Sequence, residues 1–508
     1  MGEREGALEA RTVNPLFIAV VLGISVILAI FILQYGNMHA DRRLAVSGII
    51  VNVAWQMHLG YRPYHDFLTS IPPLFIMGCK YAFDLWGVRW NSLTILTLIF
   101  AEITYLSHVA ILYKMRIGNW WSIFLPFTVQ SLTLLLFPRW WFNQITSVIG
   151  CLFISASLLL YKKPKENFSQ LVFLFIAAFL LLTKPNVMIP LVLFTFLVFI
   201  SIPGFRLLIV KLLVSAALLA TLLLLSAKIN PFEVFSSYIS ASAPASFRLL
   251  KHLFYFFPFV NHSWEQIFIL FIFFVPCLFG LGIILDYVFK AGKSAIPYFV
   301  LALGGVISGF VSILTNHEIF LNGIAIILFS FVIPILLLRP YMPVGRDRML
   351  VSYFLMLSLF LFTADGLISM RRRLELKPSL VRLDYPLFFK GTYATPRLTR
   401  ILKQVDDVIK KEGYAGQSNA SVFFGWNLDF AYAVYGIHPA MRMPLWWEPQ
   451  FNTKEMILRF EKERFKTAVF FRGEYTYFPK ELKDYLNKEY VVSDYGELTV
   501  HELRQQSD

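Results

Sequence analysis

The densest run of chemically useful side chains is HADRRLAVSGIIVNVAWQMHLGYRPYHDFLTSIPP, residues 39–73. It holds two carboxylates, Asp41 and Asp66, three histidines, His39, His58 and His65, and Arg62 and Tyr64 around Pro63. Farther along, FPRWWFN (137–143) offers Arg139 beside two tryptophans, TKPN (183–186) offers Lys184, and NHE (316–318) offers His317 and Glu318. A carboxylate can take a proton from an acceptor hydroxyl as general base. Arginine and lysine can stabilise the negative charge that grows on a departing phosphate. Such a leaving group needs little protonation at neutral pH, so one carboxylate suffices. A paired-carboxylate hydrolase would need a second acid at the leaving oxygen. The expected chemistry is therefore transfer to a hydroxyl with loss of phosphate. Asp41 or Asp66 acts as base, and Arg62, Tyr64, His65, Arg139, Lys184, His317 and Glu318 contact substrate. The histidines lack compact ligand spacing such as HExxH, so neither a metal nor another cofactor is expected. The plainer readings are a solvated loop with anchoring aromatics, cations that snorkel to lipid phosphates, and a polar loop at 316–318.

These groups lie far apart in sequence and need a frame that gathers them. The chain has 508 residues, of which 57% are hydrophobic, 17% aromatic and only 15% charged, and its mean hydropathy is +0.62. An ordinary soluble domain carries about a quarter charged residues, so that class is excluded. Fifty-one phenylalanines exclude a disordered chain. An apolar run of about 18–20 residues reads as a membrane span. Such runs stand at 15–34, 91–113, 119–137, 144–161, 168–183, 187–202, 207–226, 266–289, 295–315, 319–338 and 349–368. The first lacks a small-residue cleavage site and reads as a retained span, not a signal peptide. A short apolar segment, 73–87, carries Lys80 and Asp84 one helical turn apart and reads as a partly interfacial helix, as does 44–59. The expected fold class is thus an α-helical polytopic membrane protein of about 11–13 spans.

Sidedness follows from the basic residues. The loops 114–118, 162–167, 203–211, 290–293 and 339–348 hold twelve lysines and arginines, while 138–143, 184–186 and 316–322 hold two. The first set is expected on the cytoplasmic side and the second outside, with the 35–73 loop. Arg42-Arg43 and Arg371-Arg372-Arg373 run against this assignment. The expected location is an inner (cytoplasmic) membrane. The net charge of +14 sits mostly in loops, which points to membrane lipids as partners and away from nucleic acid. Cys79, Cys151 and Cys277 all lie in apolar segments, so no disulfide is expected. Beyond about residue 370 the composition changes. Helical patterns at 394–413, 453–465 and 479–488 alternate with strand patterns at 421–426, 467–471 and 498–503. The expected organisation is a membrane domain, 1–370, and a small extracytoplasmic α/β domain, 371–508. Neither a Gly-rich dinucleotide fingerprint nor a Walker A loop is present.

Gly60-Tyr61-Arg62-Pro63-Tyr64-His65-Asp66-Phe67, followed by Ile71-Pro72-Pro73-Leu74, resembles the G-x-x-P-Y-x-D-F … P-P-L stretch of GT-C glycosyltransferases. The style is that of bacterial protein O-mannosyltransferases and aminoarabinose-transferase-like enzymes. The motif covers only residues 60–74, whereas the architecture covers nearly the whole chain. Val422 to Trp426 and Tyr435 to Ala440 look like the outer domain of such proteins. The resemblance implies a multi-span fold whose first outer loop bears a catalytic acid. It also implies a sugar taken from a polyprenyl-phosphate carrier, with inversion, and a glycan, lipid or protein acceptor. By position, Asp41 resembles the family acid after the first span, and Asp66 the aspartate of the Pro-Tyr-x-Asp-Phe stretch. The chain departs from the pattern in having Asp41-Arg42 where the family often has two acids, and in placing Asp41 nineteen residues before Gly60.

Three other readings compete. A coupled transporter would carry mid-membrane ionisable groups and often repeated halves, whereas Glu102 is the clearest deep charge here and no repeat is visible. An O-antigen-ligase-like lipid-carrier transferase would use a larger late loop than 227–264. A non-catalytic scaffold would retain the fold alone.

Overall fold

The computed structural model describes residues 14–39, 44–67, 69, 71–135, 138–238, 280, 282–286, 289, 295–315, 320–338, 352, 379–417, 421–425, 428–439, 449–475 and 478–504. The expected spans at 266–289 and 349–368 fall largely outside these residues.

Apolar composition and helix-start chemistry set the membrane elements. Helix α1, Pro15–Tyr35, has proline in its first turn, and the Asn14 side chain accepts the Leu16 N–H at 2.9 Å. Its 21 residues span about 31 Å, the thickness of a bilayer core. Then come α2 (Leu44–His58), α3 (Pro73–Trp86), α4 (Trp90–Lys114) and α5 (Asn119–Gln130). Helix α5 runs into one π-helical stretch, Ser131–Leu135, just after Pro126 has removed a backbone donor. Next are α6 (Phe142–Lys162), α7 (Asn167–Leu181), α8 (Pro185–Ile200), α9 (Arg206–Ser226), a helical segment at 231–238, α10 (Ile296–Thr315) and α11 (Phe320–Leu338).

Among the described residues, five helices are long and apolar enough to cross a membrane: α1, α4, α6, Pro203–Ser226 and Ile296–Ile313. The protein is a multi-pass membrane protein. Helix α6 is its axis, buried on all sides and packed by α4, α7, α8 and α11. Helix α1 keeps Leu16, Leu22, Val26 and Ile30 exposed on its outer side, as a lipid-facing helix does. The Glu102 carboxylate on α4 accepts the Ser25 hydroxyl of α1. It thus joins two helices, which fits a structural acid.

Helices α10 and α11 form an antiparallel pair that closes on two glycines. A Cβ on Gly309 would lie 2.5 Å from the Gly323 carbonyl oxygen, and one on Gly323 would meet the Gly309 carbonyl even closer. Backbone cannot yield as a side-chain tip can, so small residues are required at this crossing. Gly323→Ala is expected to destabilise the protein by about 1–3 kcal/mol. Thermal unfolding in detergent checks this, with Gly204→Ala as control because a Cβ there meets nothing within 4 Å.

The C-terminal region is α/β. Its main sheet has the order β4-β5-β7-β6, built from Val422–Phe424, Thr467–Phe471, Leu498–Leu503 and Tyr490–Tyr495, with β4 and β5 parallel and the rest antiparallel. Side-chain alternation gives the sheet two buried faces. Val422, Phe424, Val469 and Val500 share a core with α12 (Pro396–Glu412), which starts at a Thr395 cap and ends at Gly413 in the left-handed region. Phe423, Ala468 and Phe470 pack instead with Phe460 of α13 (Pro449–Glu463) and with Leu482 and Leu486 of α14 (Lys480–Glu489). A second, three-stranded sheet has the order β1-β3-β2, from Met38–His39, Tyr393–Ala394 and Val381–Arg382. It joins the exit of α1 to the C-terminal region.

Candidate active site

The site begins where α1 ends. Each residue of 36–38 is held by a side chain from α4 or from the connection before α6. The Trp90 indole of α4 donates to the Gly36 carbonyl at 2.8 Å, and Thr94 Oγ1 donates to Asn37 Oδ1 at 2.9 Å. The Tyr393 N–H donates to the Asn37 carbonyl at 2.9 Å. Arg139 Nη2 donates to the Met38 carbonyl at 2.9 Å, and its guanidinium lies 5.6 Å from the Trp90 ring centroid. Arg139 is therefore buried inside the protein and does not snorkel to lipid. It lines a narrow pocket with Gly36, Trp90, Thr94, Thr97 and Trp140.

Helix α2 differs from the interfacial helix that its sequence suggests. Residues 50–57 are all buried, including Asn52 and Gln56. The reason is cover on two sides: α3 packs against it, and the helical turn Ala431–Val434 lies on it from the C-terminal region. The Trp55 indole donates to the Ile437 carbonyl at 2.8 Å. His58 Nδ1 lies 2.8 Å from Asp84 Oδ1, and the Lys80–Asp84 pair forms as its spacing suggests.

The G-x-x-P-Y-x-D-F stretch is a tight turn. Pro63 and Phe67 bridge, the Asp66 N–H donates to the Arg62 carbonyl at 2.8 Å, and Asp66 Oδ2 accepts the Arg62 N–H at 2.8 Å. The Arg62 guanidinium lies 3.5 Å from Asp66 Oδ1. Tyr64 takes a left-handed backbone, φ +67°, which an L side chain adopts rarely. Its buried phenol is raised well above its usual value by desolvation and donates to the Ile71 carbonyl, just ahead of Pro72-Pro73. Tyr64 and Asp66 thus shape the loop. His65 turns outward, with Nδ1 2.7 Å from Glu233 Oε1.

Three helix starts meet beside this loop. Helices α3, α6 and α8 begin at Pro73, Phe142 and Pro185, and none has a side-chain cap. The Leu74 N–H donates to the Leu182 carbonyl at 3.1 Å, and the Trp140 indole donates to the Phe75 carbonyl at 2.9 Å. Gly78 leaves room for Trp140: a Cβ there would sit 2.5 Å from the ring. Lys184, at the α8 N-cap, reaches inward. Its ammonium lies 3.2 Å from Asn143 Oδ1 and 5.4 Å from the Phe142 ring centroid, and burial pushes its pKa down to about 7. Helix N-termini carry partial positive charge, so three of them around a buried lysine favour an anion through their dipoles, although Pro73 has no N–H and the Leu74 and Phe75 N–H groups of α3 are taken by the Leu182 and Pro72 carbonyls.

Of the residues singled out in the sequence, Arg62, Tyr64, His65 and Asp66 share one turn, and Arg139 and Lys184 stand on adjacent connections of the same face. Asp41, His317 and Glu318 lie outside the described residues. Sequence reasoning missed Glu233 and Asn143, which partner His65 and Lys184. It also missed Trp90 and Thr94, whose role is to hold backbone. Nothing in their spacing marks them, except that Asn143 stands one residue from the aromatic run before α6. Among the described residues, no group of three or more His, Cys, Asp or Glu side chains could hold a metal ion.

The arrangement defines a class: a multi-pass membrane protein with an anion-favouring helix-start cluster beside a carboxylate-bearing loop. No protein-family model matches the chain. No curated protein matches it either. Among solved structures, the chain is similar to the crystal structure of ArnT from Cupriavidus metallidurans bound to undecaprenyl phosphate. That likeness has 12% sequence identity and a TM-score of 0.47, over 96% of this chain and 97% of that one.

Proposed function

We propose that the protein is a GT-C-type membrane glycosyltransferase that moves a sugar from a polyprenyl-phosphate carrier to an acceptor hydroxyl on the extracytoplasmic face, with inversion. The observation that carries this reading is the inward-turned Lys184 at the meeting of three uncapped helix starts, next to the G-x-x-P-Y-x-D-F loop. The carrier phosphate sits at that cluster, and its chain lies between apolar helices. Asp41 takes the proton of the acceptor hydroxyl. The hydroxyl oxygen forms a bond to the anomeric carbon as the carbon–oxygen bond to phosphate breaks. The electron pair leaves on the phosphate oxygen, where Lys184 and the dipoles of the helix N-termini stabilise it. Both Asp66 oxygens face Arg62, at 2.8 and 3.5 Å, which favours Asp41 over Asp66 as the base. Arg62 and His65, at the exposed edge of the turn, contact the acceptor, and His317 and Glu318 are assigned the same role from their residue types. Arg139 acts from beneath, through the Met38 carbonyl.

Binding of undecaprenyl phosphate to the purified protein tests the phosphate site. A charge-assisted hydrogen bond contributes about 1.5–3 kcal/mol, so Lys184→Met is expected to weaken binding by about 10- to 150-fold. The pH dependence has a definite sign. Free Lys184 loses its proton as pH rises through about 7, while a bound phosphate holds the proton on. Affinity is therefore expected to fall above pH 7, by up to about tenfold per pH unit. Equal affinity in Lys184→Met, without pH dependence, would remove Lys184 from the phosphate site.

A further inference from the structure

The first outer loop is attached to the C-terminal region at two points. At residues 38–39 the attachment is a strand addition: Met38 pairs with Tyr393 and His39 with Ala394, in parallel register. The Tyr393 N–H also takes the Asn37 carbonyl, while Thr94 of the membrane domain takes the Asn37 side chain. Asn37 is thus a node between the two regions. At α2, Trp55 donates to the Ile437 carbonyl, and its ring stands edge-on to His438 at 6.3 Å and stacks on His58 at 5.6 Å. A third contact secures the neighbouring wall, where Phe388 and Phe389 pack on Phe83 and Trp90. Beside the bonds from Trp90, Thr94 and Arg139, main-chain partners come from about 350 residues away in sequence, a separation whose closure costs entropy and must be offset by contact.

We propose that the C-terminal region is a positioning element for the first outer loop, with Tyr393 and Ile437 as its positioning residues. Strand addition at 38–39 and the Trp55 bond at 437 hold the exit of α1 and helix α2. Docking of the C-terminal region therefore adds to the hold that Trp90, Thr94 and Arg139 have on residues 36–38. The effect on turnover rests on the transferase reading above; the ordering of the loop does not.

Hydrogen exchange of the full chain in detergent, read by mass spectrometry, tests this. Tyr393→Pro removes the N–H that Asn37 accepts, and Trp55→Phe removes the indole donor while keeping an aromatic ring. Amides in peptides covering 36–43 and 44–59 are expected to exchange about tenfold faster or more in Tyr393→Pro, and several-fold faster in Trp55→Phe. Exchange in α6 and in β5 and β7 should stay as in the wild type. Unchanged protection of 36–59 in both variants would overturn the proposal. Where Tyr393→Pro also loosens β5 and β7, Trp55→Phe alone decides. With an active donor, both variants are expected to lose kcat with little change in the donor KM, since carrier phosphate binds elsewhere. Faster exchange in a protein that turns over no donor would keep the positioning role and remove the transferase reading.

Discussion

On the proposed transferase function, Asp41→Asn is expected to lower polyprenyl-phosphate release by about 10²–10⁴-fold, the usual contribution of a positioned general base. Asparagine keeps the shape and polarity of the side chain but cannot take the acceptor proton, so the loss appears in kcat and the donor still binds. Asp66→Asn behaves differently. Asp66 Oδ2 accepts the Arg62 N–H at 2.8 Å, and the asparagine carbonyl can keep that bond. What is weakened includes the pairing with the half-exposed Arg62 guanidinium at 3.5 Å and with His65 Nε2 at 3.9 Å, exposed pairs that contribute little. Asp66→Asn is therefore expected to lower turnover by about tenfold or less. Steady-state kinetics of both variants checks the order. The reverse order, with Asp66→Asn the more damaging in kcat, would make Asp66 the base.

Acid is expected to weaken the C-terminal fold through His501. This side chain on β7 is fully buried between the Phe470 and Tyr475 rings, at 5.3 and 5.0 Å, and neither ring nitrogen has a hydrogen-bond partner among the described residues. Burial lowers its pKa from 6.5 to about 4. The unfolded chain takes up the proton at about 6.5, so between pH 6.5 and 4 it binds more protons than the folded state. The stabilisation is complete above pH 6.5 and is lost as pH falls towards 4. Across that window the loss amounts to about 3 kcal/mol. His501→Phe fills the same aromatic box without a titrating group. Thermal unfolding of wild type and variant at pH 7.5 and 4.5 checks this. The wild type should lose more stability than the variant on acidification, and parallel loss would show that His501 does not control it.

Much of the membrane architecture was legible because a bilayer imposes a coarse rule on composition. The runs at 91–113, 144–161 and 207–226 reappear as α4, α6 and α9 within a few residues, since each is apolar for a full span. The C-terminal helices and the strands at 421–426, 467–471 and 498–503 were also readable from their periodicity. Strand β6 was not, because Val491, Val492 and Tyr495 are exposed and follow no inside–outside alternation. Nor was the π-helical stretch after Pro126, whose residues read as ordinary helix. The parallel pairing of 38–39 with 393–394 involves two residues from each strand, too few for any pattern, and joins segments distant in sequence.

At the candidate site, residue types were legible and their duties were not. The turn at 60–67 was conspicuous, yet a tyrosine at φ +67° carries no sequence mark, because glycine is the residue expected there. Arg139 read as a phosphate contact, whereas its Nη2 holds the Met38 carbonyl. Lys184 read equally as a lipid-facing cation, and only packing shows that it turns inward to Asn143. The identity of a cation can be read in one dimension, but the direction of a long side chain depends on neighbours from other helices.

The measurement that bears most directly on the central claim is turnover of carrier-linked sugars. Purified protein in detergent, offered a panel of undecaprenyl-phosphate sugars with candidate hydroxyl acceptors, is expected to release undecaprenyl phosphate from at least one donor, and Asp41→Asn is expected to abolish that release. Binding of undecaprenyl phosphate without release from any donor and acceptor pair, in wild type and variant alike, would contradict the account of the protein as a glycosyltransferase.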